Sequence, residues 1–122
     1  MAKRKPVVAV VDDDPRLLES LEELLESADY MARSFSSAGL LLNSGLSGVD
    51  VLITDIGMPG MNGFELRDLV RKARPELPVF LITGGHEMAD QGRPQSIFRK
   101  PFDAEALLAA IAKALRGSKL GE

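Results

Sequence analysis

The sequence predicts an α/β protein built on a doubly wound parallel sheet, and three observations lead there. Residues 7–11, 51–54 and 79–83 are short, continuously apolar and rich in β-branched side chains, as strands covered on both faces are. Segments with helical spacing lie between them, so strands and helices alternate, which implies right-handed βαβ crossovers with helices on both faces of the sheet. Five βα units fit the 122-residue length, which supports one core.

Each element carries its own signal. In the first helix Leu17, Leu18, Leu21, Leu24 and Leu25 form one apolar stripe, and Asp14 before Pro15 marks its N-cap. A second strand is predicted over 30–35, followed by a short helix over 37–43 that ends near Gly45. After the 51–54 strand, Asn62 and Glu65 have the spacing of a capping box ahead of Leu66, Leu69 and Val70. A fifth strand is predicted near 96–99. The last helix shows Leu107, Leu108, Ile111 and Leu115 on one side, with Lys113 and Arg116 near its end and Gly117 as its stop. The predicted core spans 6–116, and residues 117–122 read as a polar, flexible tail.

Composition excludes several function classes. Apolar residues make up 45% and charged residues 27%, as in ordinary globular domains. No apolar run approaches the ~20 residues of a membrane span. The basic start Lys3-Arg4-Lys5 lacks the apolar stretch of a signal peptide, so the cytoplasm is expected. Cysteine is absent, which removes disulfide and thiol chemistry. A net charge of −3 and few aromatic residues argue against nucleic acid as a partner.

In open parallel sheets ligands bind beyond the carboxyl ends of the strands, so residues that follow strands are the candidates. Asp12, Asp13 and Asp14 follow the first strand and Asp55 follows the third, giving one rim an acidic character. Asp14 is assigned to the helix cap, whereas Asp12 and Asp13 have no evident local duty. Clustered carboxylates repel, which raises a pKa or recruits a cation, and a few hard oxygen ligands favour Mg²⁺. Thr83 after the fourth strand and Lys100 after the fifth bring a hydroxyl and an ammonium to the same rim. That set suits phosphoryl transfer, in which a protein mainly positions groups and neutralises charge.

Four segments together resemble the response-regulator receiver domains of two-component signalling. They are Val-Val-Asp-Asp-Asp-Pro (10–15), Thr-Asp-Ile-Gly-Met-Pro-Gly-Met-Asn-Gly-Phe-Glu-Leu (54–66), Leu-Ile-Thr-Gly (81–84) and Arg-Lys-Pro-Phe-Asp (99–103). The similarity runs over essentially the whole chain. It implies a flavodoxin-like (βα)5 fold with strand order 2-1-3-4-5 and a single receiver domain over 1–122. It also implies that Asp55 accepts a phosphoryl group from a histidine kinase or a histidine phosphotransfer protein, and that the domain signals onward to a downstream protein by a conformational change. Asp13, Asp55 and the carbonyl of Gly57 would ligate Mg²⁺, for which Mn²⁺ could substitute, with Asp12 helping directly or through water. Lys100, ahead of a cis Pro101, would pair with a phosphoryl oxygen, and Thr83 would move its hydroxyl onto another. Such a domain is no enzyme in the ordinary sense, but it assists its own phosphorylation and dephosphorylation. The glycines of the loop at 58–63 would supply backbone freedom for a tight turn.

Two features depart from the family. The position three before the lysine is commonly Tyr or Phe and here is Ile97, and Phe98 faces the other way on a strand, which puts the usual threonine–aromatic switch in doubt. Residues 84–99 are few for a loop, a helix and a strand, and Gly84, Gly85, Gly92 and Pro94 punctuate them, so the fourth helix is expected to be reduced, disordered or absent. His86, in this stretch, reads as a solvated loop side chain. Two other readings compete. One is a phosphohydrolase of the haloacid dehalogenase type with Asp12 as nucleophile, and the other is a pseudo-receiver that signals without phosphate.

Overall fold

The structure is a computed structural model that describes residues 5–83, 97–99 and 103–119. The element order is β1 (Val7–Val11), α1 (Pro15–Ser27), β2 (Met31–Phe35), α2 (Ala38–Ser44), β3 (Val51–Asp55), α3 (Gly63–Ala73), β4 (Val79–Thr83), β5 (Ile97–Arg99) and α4 (Ala104–Lys119). All strand pairings are parallel and the order is β2-β1-β3-β4-β5, as expected. The stretch in which the fourth helix was expected to be reduced, disordered or absent, residues 84–96 with His86, lies outside the described residues.

Side-chain alternation along the strands divides the core in two. Ala9, Val11, Leu52, Val79 and Leu81 point to the face covered by α2 and α3, where Leu41, Leu66 and Val70 meet them. Val8, Val10, Val51, Ile53, Phe80 and Ile82 point to the other face, under Leu21 and Leu25 of α1 and Leu107 and Ile111 of α4. Every residue of β3 and β4 is therefore buried, which accounts for their lack of polar alternation. Each fully buried leucine or isoleucine contributes about 1.5–3 kcal/mol, so the two clusters dominate stability. The edge strand β2 is only half-buried, and its sequence Met-Ala-Arg-Ser-Phe is correspondingly mixed.

The helix boundaries follow local chemistry. Asp14 caps α1 by accepting from the Arg16 amide at 3.0 Å, with Pro15 in the first turn. Ser37 caps α2, accepting from the Leu40 amide at 3.1 Å, and Gly45 closes that helix with φ 90°. At seven residues α2 is too short to stand alone, and buried Ala38 and Leu41 hold it to the sheet. The capping box of α3 is complete: the Glu65 amide donates to Asn62 Oδ1 at 2.9 Å, and the Asn62 amide donates to Glu65 Oε1 at 3.0 Å. Arg74, just past α3, donates through Nη1 to the carbonyls of Leu46 and Val49, at 2.8 Å each, and so ties the chain entering β3 to the end of α3.

Three boundaries differ from expectation. The last helix continues through Gly117 to Lys119, so part of the predicted tail is helical. A helical glycine costs about 1 kcal/mol relative to alanine and does not by itself end a helix. β2 starts at Met31 because the Tyr30 amide still bonds to the Leu25 carbonyl, at 3.0 Å, as part of the turn out of α1. β3 extends one residue further than predicted and ends on Asp55, since polarity alone does not stop a strand whose ladder partner is present.

Candidate phosphoacceptor site

The strand register sets up the site before any side chain is considered. Val11 pairs with Thr54 across β1 and β3, which puts Asp12 beside Asp55 at the carboxyl edge of the sheet. Asp55 pairs with Ile82 across β3 and β4, which puts Thr83 one residue further along the same edge. Thr83 in turn pairs with Arg99 of β5. Lys100, Pro101, Gly84 and Gly85 lie outside the described residues, so the amine of the expected set is not described. The side chains of Ile97 and Phe98 are likewise not described.

Asp12 is fully buried, Asp55 is 4% exposed and Asp13 is exposed. One carboxylate oxygen from each of these three residues lies within 4.8 Å of the other two. At that separation two unit charges repel by roughly 3 kcal/mol for an effective dielectric of about 20, enough to make a divalent cation a favourable companion. The donor set is all hard oxygen, and the exposed Asp13 leaves solvent access on one side, so the arrangement fits a hydrated divalent ion. Gly57, the fourth ligand candidate, sits in the exposed bend directly after Asp55 and Ile56.

Asp12 also has a local duty that sequence reading did not assign. Its Oδ1 accepts from the Asp14 amide at 2.8 Å, and its own amide donates to the Phe35 carbonyl at 3.1 Å. The first bond forms a turn that hands the chain from β1 to the cap of α1, and the second extends the β1–β2 ladder by one step. One carboxylate oxygen is thereby fixed, which orients the other before any ligand arrives.

Two further residues shape the site and were missed. Thr54 is fully buried, and its Oγ1 donates to the Asp55 carbonyl at 3.1 Å. The glycines of the loop at 58–63 were expected to supply backbone freedom, and Gly60 does so with φ 78°, whereas Gly63 does not have a positive φ. Gly63 is required for a different reason. A Cβ there would lie 2.4 Å from the Asp55 carbonyl oxygen and 2.8 Å from Ile56 Cα. The first turn of α3 is pressed directly onto the backbone that carries Asp55, sealed by the Gly63 amide donating to the Ile56 carbonyl at 2.9 Å. A glycine in the first turn of a capped helix, eight residues after a rim aspartate, was the available signal.

Comparison with known proteins shows the family and the fold. The family model for the response regulator receiver domain matches residues 8–112. The response regulator protein TodT of Pseudomonas putida is 33% identical over 95% of the chain and 54% of its own length. The C4-dicarboxylate transport transcriptional regulatory protein DctD of Rhizobium meliloti is 34% identical over 89% of the chain and 25% of its own length. The chain thus spans about half the length of the first of these relatives and a quarter of the second. Among solved structures, a response regulator receiver domain protein from Clostridium thermocellum superposes with a TM-score of 0.86 at 26% identity, covering 96% of this chain and 99% of its own. The response regulator StyR gives 0.82 at 31% identity, over 94% of this chain and 61% of its own. A converged acidic rim, the 2-1-3-4-5 sheet and a match over most of the chain agree: this chain belongs to the response-regulator receiver family and is a signalling domain.

Proposed function

We propose that Asp55 is the phosphoacceptor of this receiver domain and that Asp12, Asp13, Asp55 and the Gly57 carbonyl hold Mg²⁺ beside it. One observation carries the reading: three carboxylates from two strand ends lie within 4.8 Å of one another, with Asp55 on the central strand and Asp13 exposed beside it. When bound, Mg²⁺ would neutralise the acidic cluster and draw the phosphoryl oxygens toward it.

In the transfer itself a carboxylate oxygen of Asp55 attacks phosphorus, the bond from phosphorus to the donor's imidazole nitrogen breaks, and an acyl phosphate results. Asp55 is held for that step by β3, and the first turn of α3 is seated on its backbone at Gly63. Asp12 is pre-oriented by the Asp14 amide, so little reorganisation is needed as charge develops. Thr83 stands at the end of the adjacent strand, where its hydroxyl can serve a phosphoryl oxygen. Lys100 is assigned the remaining charge-neutralising role, on its place one residue after Arg99. The same groups position the water that later hydrolyses the acyl phosphate, so the domain assists its own phosphorylation and dephosphorylation.

The donor is a histidine kinase or a histidine phosphotransfer protein, and the recipient of the signal is a separate protein surface. The chain works in this role as one receiver unit. Among the described residues no helix is long and apolar enough to cross a membrane. Incubation with acetyl phosphate and Mg²⁺, followed by peptide mass spectrometry, should place one phosphoryl group on Asp55. Asp55→Asn should abolish that label, and chelation of Mg²⁺ by EDTA should prevent it. A label that persists in Asp55→Asn would refute the assignment. A beryllofluoride-activated DrrB receiver domain is among the similar structures, with TM-score 0.80 at 27% identity over 92% of this chain and 98% of its own. Beryllofluoride with Mg²⁺ is accordingly expected to bind this chain and to compete with acetyl phosphate.

A further inference from the structure

The polar side chain of Thr54 has no part in the chemistry above, yet it is fully buried. Its ladder neighbours are Val11 on β1 and Leu81 on β4, both members of the apolar cluster under α2 and α3. Valine would fill this place with nearly the same shape and without a hydroxyl to satisfy, so packing alone does not call for threonine. The hydroxyl donates at 3.1 Å to the carbonyl of the next residue, Asp55. That carbonyl belongs to the peptide joining Asp55 to Ile56, and the same peptide donates through the Ile56 amide to the Ile82 carbonyl at 2.8 Å. Gly63 presses against it from α3. Tilting this peptide changes ψ of Asp55 and so changes how Asp55 sits relative to Asp12.

Building on the assignment of Asp55 as phosphoacceptor, we propose that Thr54 is a positioning residue for it, its buried hydroxyl fixing the peptide plane from which the reactive carboxylate is aimed. Thr54 touches neither phosphoryl donor nor metal in this scheme. Its action is to narrow the range of Asp55 orientations, and small misplacements of a reacting group are costly to rate.

The test compares Thr54→Val, which keeps shape and removes the hydroxyl, with Thr54→Ser, which keeps the hydroxyl and removes a methyl. Each variant is assayed for initial phosphorylation rate with saturating acetyl phosphate and Mg²⁺, and for its urea midpoint. Thr54→Val is expected to slow phosphorylation about fivefold, the factor that corresponds to one net hydrogen bond, while unfolding no more easily than Thr54→Ser. Thr54→Ser is expected to stay within about twofold of the parent rate, because the methyl is a packing group and the hydroxyl is the positioning one. A merely structural residue would give the opposite pattern, with the rate of Thr54→Val unchanged, and that result overturns the proposal. If Thr54→Val fails to fold, Thr54→Ala takes its place: a rate equal to that of Thr54→Ser overturns the proposal, and a further drop of about fivefold supports it. Asp55→Asn run in parallel separates the two readings, since label surviving in that variant removes the phosphoacceptor assignment itself, whatever Thr54 does.

Discussion

Gly63→Ala should destabilise the fold and slow phosphorylation together, although alanine is the better helix former. The added Cβ would lie 2.4 Å from the Asp55 carbonyl oxygen, 2.8 Å from Ile56 Cα and 3.0 Å from the Asp55 carbonyl carbon. All three are backbone atoms of Asp55, the last residue of β3, and of Ile56 directly after it, so no flexible side chain can swing aside. Reaching an ordinary contact of about 3.4 Å requires a relative movement of about 1 Å between α3 and the end of β3. Two bonds oppose that movement, Gly63 N–H to the Ile56 carbonyl at 2.9 Å and Ile56 N–H to the Ile82 carbonyl at 2.8 Å.

Overpacking of this kind costs about 1–3 kcal/mol, against at most about 1 kcal/mol recovered from helix propensity, and less than that in the first turn, where Gly63 sits. The net expectation is a loss of about 2 kcal/mol, which at a urea m-value of about 2 kcal/mol/M lowers the unfolding midpoint by about 1 M. The rate of labelling by acetyl phosphate should fall as well, because the strain is relieved either by lifting α3 or by shifting Asp55. An unchanged or raised midpoint would show that the seating of α3 on β3 is looser than these distances require, and would refute the reasoning.

Two other substitutions test how the rim is supported. Arg74→Met removes two bonds to the Leu46 and Val49 carbonyls, and because the Arg74 side chain is 30% exposed the loss should be near the low end for charged donors, about 2 kcal/mol, read as a drop in urea midpoint. A midpoint within error of the parent would show that the loop entering β3 is held by packing alone. The second concerns Glu76, whose pKa is lowered below 4.5 chiefly by the hydrogen bond from the Arg74 guanidinium. A depressed folded-state pKa gives stability that is present above the unfolded value and disappears as pH falls through the folded one. Glu76→Gln should therefore slightly flatten the acid limb of the stability profile below pH 4.5, an effect kept small by the exposure of Glu76. The substitution should cost more at neutral pH than in acid, where Glu76 is already protonated, and a larger change in acid would contradict it.

The central sheet was legible because burial on both faces leaves a direct mark: Val7–Val11 and Val79–Thr83 can hardly be anything but inner strands. The caps were legible for a similar reason, since Asp14-Pro15 and the Asn62–Glu65 pair are chosen by a few backbone amides nearby. Edges were less so. At β2, half-burial leaves Arg33 and Ser34 tolerable in a strand, and the start at Met31 depends on a turn bond from Tyr30 that no pattern announces. The helix running through Gly117 is another such case, because a glycine stop is a statistical preference and a helical glycine costs only about 1 kcal/mol.

The candidate site divides along the same line, and the division explains why motif and mechanism are separable. Carboxylates that must face solvent or a cation stand out from an apolar strand, so Asp12, Asp13 and Asp55 could be picked out one at a time, and register then brings them within 4.8 Å. What holds them is written in residues that look ordinary. Thr54 is a common strand residue, and its hydroxyl matters only because the next carbonyl lies 3.1 Å away. Gly63 looks like a loop glycine, and its lack of a side chain matters only because α3 lands on the Asp55 backbone. Asp12 reads as a ligand, yet one of its oxygens is already committed to the Asp14 amide, so the charge available to a cation is that of an oriented carboxylate. An acidic rim of the same composition without these three constraints would carry the same charge, but the proposed phosphoacceptor would not be held in one orientation.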